Sequence, residues 1–90
     1  MNIVQTTSFA RAAKKLHANQ KKDLDAAVKA IMADPAIGEA KVGDLAGVSV
    51  YKFKMTGQLT LLAYSYAGET ITLTLLAVGP HENFYRDLKK

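Results

Sequence analysis

The apolar residues of this chain change their spacing halfway along it, and this change limits the possible folds more than any other feature. Between residues 7 and 33 they recur every three or four positions, which is the period of an amphipathic helix. From residue 48 to residue 78 they largely alternate with other residues, which is the period of a strand. The sequence therefore predicts a helical first half packed against a sheet formed by the second half.

The first half is predicted to contain one strand and two helices, at residues 2–6, 7–17 and 20–33. Thr7 or Ser8 is the expected cap of the first helix, and Asn19 is the expected cap of the second. Asp34 and Pro35 end that helix, because the residue before a proline disfavours helical geometry. The link between the helices is short, which favours an antiparallel hairpin. The buried stripes of the two helices are Phe9, Ala12, Ala13 and Leu16, and Leu24, Ala27, Val28 and Ile31.

The second half is predicted to be a meander of three strands, at residues 48–55, 59–66 and 70–78. Glycines mark its two turns, and Gly79-Pro80 ends the last strand. Residues 81–89 are expected to form a short helix. The fold class is therefore α+β, in the order β-α-α-β-β-β, with an antiparallel sheet against a helical hairpin. A chain of 90 residues is expected to form a single domain, residues 1–90.

Charge and composition narrow the classes of partner and site. Twelve Lys and Arg residues against eight Asp and Glu give a net charge of +4, which favours polyanionic partners such as RNA, DNA or an acidic protein. The absence of cysteine excludes disulfides and thiolate metal sites. No metal-ligand spacing or nucleotide-binding motif is visible, so no metal or cofactor is expected. Neither a signal peptide nor a run of roughly 20 apolar residues is found, which predicts a cytoplasmic protein.

Three segments of the second half carry a family resemblance, namely LAGVSVYKFK at residues 45–54, LTLLAY at 59–64 and LLAVGPH at 75–81. A leucine and a glycine before a basic strand, an apolar strand, and a last strand leading to a glycine turn and a histidine resemble the RelE/ParE superfamily of toxins. The resemblance covers nearly the whole chain. It implies a toxin of a type II toxin–antitoxin system that is held inactive by a cognate antitoxin. That partner is expected to be a partly disordered acidic protein.

The superfamily has branches with different targets, so the fold alone does not settle the function. One branch cuts messenger RNA in the ribosomal A site, and the ParE branch poisons DNA gyrase without nuclease activity. The first expectation for this chain is a ribosome-dependent endoribonuclease, with mRNA and the ribosome as partners. The alternatives are a non-enzymatic gyrase inhibitor and a divergent member that only binds.

His81 and Tyr85 are the first candidate catalytic residues. RNA cleavage by side chains needs a base for the ribose 2′-oxygen, an acid for the leaving 5′-oxygen and cations for the phosphate. The resemblance places His81 at a catalytic histidine of the YafQ-like branch and Tyr85 at an aromatic residue of the nucleases. Tyr85 would stack on a base or contact the phosphate. The alternatives are a capping histidine and an aromatic that only packs, although Phe84 is the better packing candidate.

Lys52 and Lys54 are the second pair of candidates. They lie two residues apart on a predicted strand, so both side chains leave the same face and could hold the scissile phosphate. Similar lysine pairs occur in the RelE branch, and a solvated strand face is the alternative. Gln58 and Thr60 depart from the acidic residue and the arginine that the nucleases carry, which favours a ParE-like or divergent protein.

A basic patch is predicted on the helical hairpin. The alternative to a binding patch is a helical face that is simply exposed to solvent. In the nuclease interpretation the patch contacts ribosomal RNA, an interaction that salt would weaken. The candidate RNA- or ribosome-binding residues are Arg11, Lys14, Lys15, Lys21 and Lys22, joined by Arg86 near the C-terminus.

Overall fold

The computed structural model describes residues 1–81 and 84–88 and, at residues 86 and 87, the backbone alone. The elements of the described residues follow the predicted order, with one additional short strand. They are β1 (Asn2–Gln5), α1 (Thr7–Lys14), α2 (Ala18–Ala33), β2 (Glu39–Ala40), β3 (Ser49–Met55), β4 (Gln58–Ala67), β5 (Thr72–Pro80) and α3 (Phe84–Leu88). Two 3-10 turns, Pro35–Ile37 and Gly43–Leu45, flank β2.

The strands form a five-stranded sheet in the order β1-β5-β4-β3-β2. The predicted antiparallel meander of β3, β4 and β5 is confirmed. The sheet as a whole is mixed, however, because β1 pairs in parallel with β5, with Ile3 opposite Leu73. Alternation of side chains sets the face of a strand but not its direction, so the sequence pattern does not reveal this parallel pair.

The caps of both helices differ from the prediction, and α1 is capped by Thr6 instead of Thr7 or Ser8. The Thr6 hydroxyl accepts the N–H of Phe9 at 3.2 Å and donates to the carbonyl of Leu76 at 2.8 Å, so α1 is capped and joined to β5 by one side chain. The expected cap of α2, Asn19, is wrong. His17 is the N-cap, and the side chain of Gln20 accepts its backbone N–H at 2.8 Å. The break between the helices therefore falls two residues earlier than predicted.

One face of the sheet, here called the helix face, packs against α1 and α2. Phe9, Leu24 and Ile31 from the helices are buried against Leu62, Tyr64, Leu73 and Leu75 from the strands. The expected stripes of both helices contribute to this core. Burying each large apolar side chain contributes about 1.5–3 kcal/mol, so this layer supplies most of the favourable packing.

The opposite face, here called the C-terminal face, carries a smaller core. Val50, Leu61 and Ala63 are buried there under Phe84 of α3. β4 lies at the centre of the sheet, so residues 61 to 64 alternate between the two cores and are fully buried. The sequence of β4 is a continuous apolar run at these residues because the strand is covered on both faces.

Among the described residues, no helix is both long enough and apolar enough to span a membrane.

Candidate functional site

The predicted face of the lysine pair is confirmed on β3. Tyr51 and Phe53 point to the helix face, where their rings stack with centroids 6.1 Å apart. Lys52 and Lys54 alternate with them and are exposed, on the side of Val50. Strand geometry therefore places both ammonium groups on the C-terminal face.

The register of the sheet aligns these lysines with the end of β5. Lys52 lies opposite Leu61, and Leu61 lies opposite Gly79, two residues before His81. Two strand spacings separate the lysine strand from the β5 strand, which is roughly 10 Å. A phosphodiester with its two flanking sugars spans a gap of that order, so one RNA backbone can reach both sides of the face.

The rings of His81 and Tyr85 lie side by side, as their separation of four residues predicts, although His81 precedes α3. Their ring centroids lie 6.3 Å apart with the planes at 84°. The carbonyl of His81 accepts the N–H of Phe84, the first residue of α3, at 3.3 Å. Phe84 is the buried aromatic, at 6% exposure, and Tyr85 is half-buried. The expectation that Phe84 makes the packing contact is confirmed, and the imidazole of His81 remains exposed.

Lys41 is a residue of this face that the sequence analysis missed. Its ammonium lies 5.1 Å from the centroid of the Tyr85 ring and 3.1 Å from the carboxylate of Glu39. Glu39 stands opposite Val50, which fixes the pair on the C-terminal face. Glu39 first, and then Tyr85, raise the pKa of Lys41 above its ordinary value of 10.5, so the side chain is an ammonium at neutral pH.

Gln58 and Thr60 lie on the other side of the sheet. Both line a groove of about 300 Å³ on the helix face, together with Leu16 of the α1–α2 link. Thr60 is buried, and its hydroxyl donates to the carbonyl of Gln58 at 3.1 Å. The residue of β4 that faces the site beside Lys54 is Leu59, which is 40% exposed. On β4, the side chain next to Lys54 on the C-terminal face is therefore apolar.

The predicted basic patch divides between two grooves. Lys15 lines the 300 Å³ groove that also contains Gly79 and Pro80, next to His81. Lys14 and Lys21 instead border a larger groove of about 510 Å³, whose floor includes Ile3, Phe9, Leu24 and Leu75. Arg11 and Lys22 are exposed on the helices, and the side chain of Arg86 lies outside the described residues. The predicted patch thus borders both grooves.

The C-terminal face therefore carries the contacting side chains of His81, Tyr85, Lys41 and Glu39, and on β3 the exposed Lys52 and Lys54. Such a set can transfer protons and bind phosphate, which are the requirements of acid–base cleavage of RNA. Within residues 1–81 and 84–88, no three His, Asp or Glu side chains are grouped closely enough to hold a metal ion.

The comparisons with known proteins agree with this architecture. The model of a family of ParE-like toxins of type II bacterial toxin–antitoxin systems matches residues 3–89. The chain belongs to this family and is a toxin of the RelE/ParE type. No curated protein matches it in sequence.

Solved structures of RelE toxins share the fold. The intact E. coli RelBE toxin–antitoxin complex matches with a TM-score of 0.71 at 18% identity, over 90% of this chain and 96% of that one. The RelBE2 complex from Mycobacterium tuberculosis matches with a TM-score of 0.68 at 24% identity, over 89% and 96%. At these identities the likeness establishes the fold, and the two neighbours are themselves toxin–antitoxin complexes.

Proposed function

We propose that this toxin is an endoribonuclease that cuts messenger RNA on the ribosome and thereby stops translation. The observation that carries the proposal is the pairing of His81 with Tyr85 on the face that presents Lys52 and Lys54. In this proposal the lysines hold the scissile phosphate from β3, while the two rings approach it from the end of β5. An imidazole carries one nitrogen that can donate a proton and one that can accept it, so we assign proton transfer to the exposed ring of His81.

The proposed reaction is an internal transesterification. A base removes the proton of the ribose 2′-hydroxyl, and the 2′-oxygen attacks the adjacent phosphorus. The bond from phosphorus to the 5′-oxygen breaks, an acid protonates that oxygen, and the products are a 2′,3′-cyclic phosphate and a 5′-hydroxyl. His81 serves as the acid or the base, and Lys52 and Lys54 stabilise the charge that develops on the phosphoryl oxygens.

The role of Tyr85 follows from its surroundings. Lys41 lies over its ring, and the rings of His81 and Phe84 stand nearly perpendicular to it, at 84° and 88°. Neighbours on several sides leave little of the ring for stacking on a base. Contact of the hydroxyl with the phosphate, or orientation of His81, is therefore favoured over base stacking.

A translation reaction with purified protein tests this function. Messenger ends are mapped by primer extension for the wild-type protein and for His81→Ala, and we expect cuts at A-site codons that the variant loses. His17→Asn is the matched control, because it changes the other histidine but keeps a good N-cap. Cuts that persist in His81→Ala would assign the chemistry to the lysines and Tyr85. If folded, toxic protein makes no cuts, the nuclease proposal is wrong.

A second function is favoured by two observations, the ParE-like family model and the exposed Leu59 on the C-terminal face, near the β3–β4 turn. In this alternative the protein inhibits DNA gyrase by binding alone, and Leu59 belongs to an apolar contact. The same variants discriminate between the two functions. His81→Ala would then leave toxicity intact, and a gyrase supercoiling assay would show inhibition without any cleavage of RNA.

We also propose a cognate antitoxin as the physiological partner, since RelE neighbours of this fold are seen in complex with theirs. The 510 Å³ groove between the helices and β1 supports this partner. Its floor is apolar, and Lys14 and Lys21 stand at its border. An amphipathic acidic segment matches both properties, and its binding would weaken as salt screens the lysines.

A further inference from the structure

Lys41 is held in place by its backbone and by its side chain. It follows β2 directly, and its N–H donates to the carbonyl of Val48 at 2.9 Å, which fixes the main chain at the edge of the sheet. Its side chain is only 21% exposed, whereas that of its partner Glu39 is 66% exposed. The lysine stem is therefore packed, and the carboxylate holds the ammonium from the solvent side.

The contact of Lys41 with Tyr85 joins two distant parts of the chain. β2 lies at one edge of the sheet, whereas α3 follows β5 and packs across the C-terminal face through Phe84. A cation at 5.1 Å from a ring centroid is within the range of a favourable cation–π interaction. Tyr85 also has His81 against it, so the position of Lys41 limits where both rings can lie.

We propose that Lys41 is a positioning residue of the site, which holds Tyr85 beside His81 and is itself held by Glu39. Its catalytic consequence rests on the proposed nuclease function, whereas the arrangement of the three side chains does not. Lys41 differs in this respect from Lys52 and Lys54, which are exposed and are proposed to contact the phosphate directly. The Glu39–Lys41 pair thus makes the short strand β2 part of the site.

Two substitutions of Lys41 distinguish the effect of its charge from the effect of its size. Lys41→Met keeps a long apolar stem but removes the cation, and Lys41→Arg keeps a cation that also binds ring faces. We expect the Tyr85 ring signals in NMR spectra to move in Lys41→Met and to return toward wild type in Lys41→Arg. Lys29→Met, an exposed lysine of α2, is the matched control and leaves these signals unchanged.

Kinetics on programmed ribosomes supply the second measurement. The free energy of a cation–π contact of this kind corresponds to a roughly two- to fivefold change in a rate constant. We therefore expect kcat to fall by about that factor in Lys41→Met. KM for the ribosome should stay constant, because Lys41 acts through Tyr85. In a Tyr85→Leu background, Lys41→Met should cause no further loss.

Three results would overturn the proposal. Ring signals that stay fixed in Lys41→Met would show that Lys41 does not position Tyr85. An equal loss in the Tyr85 and Tyr85→Leu backgrounds, or a rise in KM alone, would make Lys41 a direct ligand of the RNA.

A different result would separate the two proposals. If the wild-type protein cuts no messenger while the ring signals still move in Lys41→Met, the nuclease function fails and the positioning role is retained.

Discussion

Tyr64 shows how a single side chain can organise the region around the site. It is fully buried in β4, and its hydroxyl donates to the carbonyl of Pro35 at 2.6 Å while accepting the N–H of Gly38 at 2.9 Å. These two bonds attach the loop after α2 to the centre of the sheet. Gly38 permits the approach, because a Cβ at that position would lie 2.5 Å from the Tyr64 hydroxyl. β2 and Lys41 follow directly from this anchored loop.

Tyr64→Phe is expected to destabilise the protein. The change leaves a carbonyl and an N–H of the loop without their partner, which costs about 1–3 kcal/mol at a buried position. Thermal or urea unfolding measures the loss against Tyr66→Phe, a neighbouring tyrosine that is 38% exposed. We expect the control to change stability by less than about 0.5 kcal/mol. Equal stability of the two variants would show that the Tyr64 hydroxyl contributes nothing net.

Individual contacts differ in how far the sequence could predict them. The contact of His81 with Tyr85 was expected from their separation of four residues, although His81 precedes α3. The contact of Lys41 with Tyr85 was not, because it depends on where α3 packs and on a strand of only two residues. Comparison of Gln58 and Thr60 with a family pattern concerns residue types, whereas the face of β4 that each residue occupies comes from the register of the sheet.

At the scale of an element, the β3–β4 hairpin contains a strained turn. Its two turn residues, Thr56 and Gly57, both have positive φ, at 47° and 84°. That backbone is typical of a type I′ turn, in which asparagine and glycine are preferred and a β-branched residue is an outlier. The N–H of Thr56 donates to the carboxylate of Asp23 at 2.7 Å, so the turn is also tied to α2. This bond offsets part of the strain.

Thr56→Asn should stabilise the protein by about 1 kcal/mol, because asparagine tolerates the left-handed region that threonine resists. The backbone bond to Asp23 is retained. For a domain of this size, a rise in Tm of roughly 4–8 °C is expected. Thr70→Asn is the control, since Thr70 lies in the next turn without positive φ. A Tm that does not rise in Thr56→Asn would mean that the turn stores no strain.

Elements were predictable where the apolar period was long. The two helices and the three strands of the meander came from such periods, and each has a buried face that enforces it. β2 could not be predicted, because two residues show no period. The parallel partner of β1 could not be predicted either, since all four of its residues are exposed and any edge of the sheet would accept them.

At the scale of the whole molecule, the sheet separates two basic surfaces. The C-terminal face carries the candidate site, while the helices carry most of the remaining cations. Lys15 connects them, because it shares a groove with Pro80, the residue before His81. In the nuclease proposal this lysine is the helix cation best placed to contact ribosomal RNA near the cleaved messenger.

Lys15→Glu should therefore weaken ribosome binding and reduce its dependence on salt, because one phosphate contact is lost and one repulsion is gained. Lys29→Glu makes the same change of charge in the second half of α2 and should have a smaller effect. Sedimentation with ribosomes at several salt concentrations measures both. Equal losses in the two variants would indicate that only net charge matters.

The parallel pairing of β1 with β5 has a consequence for biosynthesis. Residues 2–5 leave the ribosome well before their partners, which are residues 72–75. The sheet cannot close until residues 72–75 have been made, and His81 and Tyr85 follow later still. We therefore expect a nascent chain to remain harmless to the ribosome that produces it. In translation-arrest fusions, we expect a folding force only when the nascent chain is long enough for residue 75 to have left the exit tunnel. A folding force in shorter nascent chains would contradict this order.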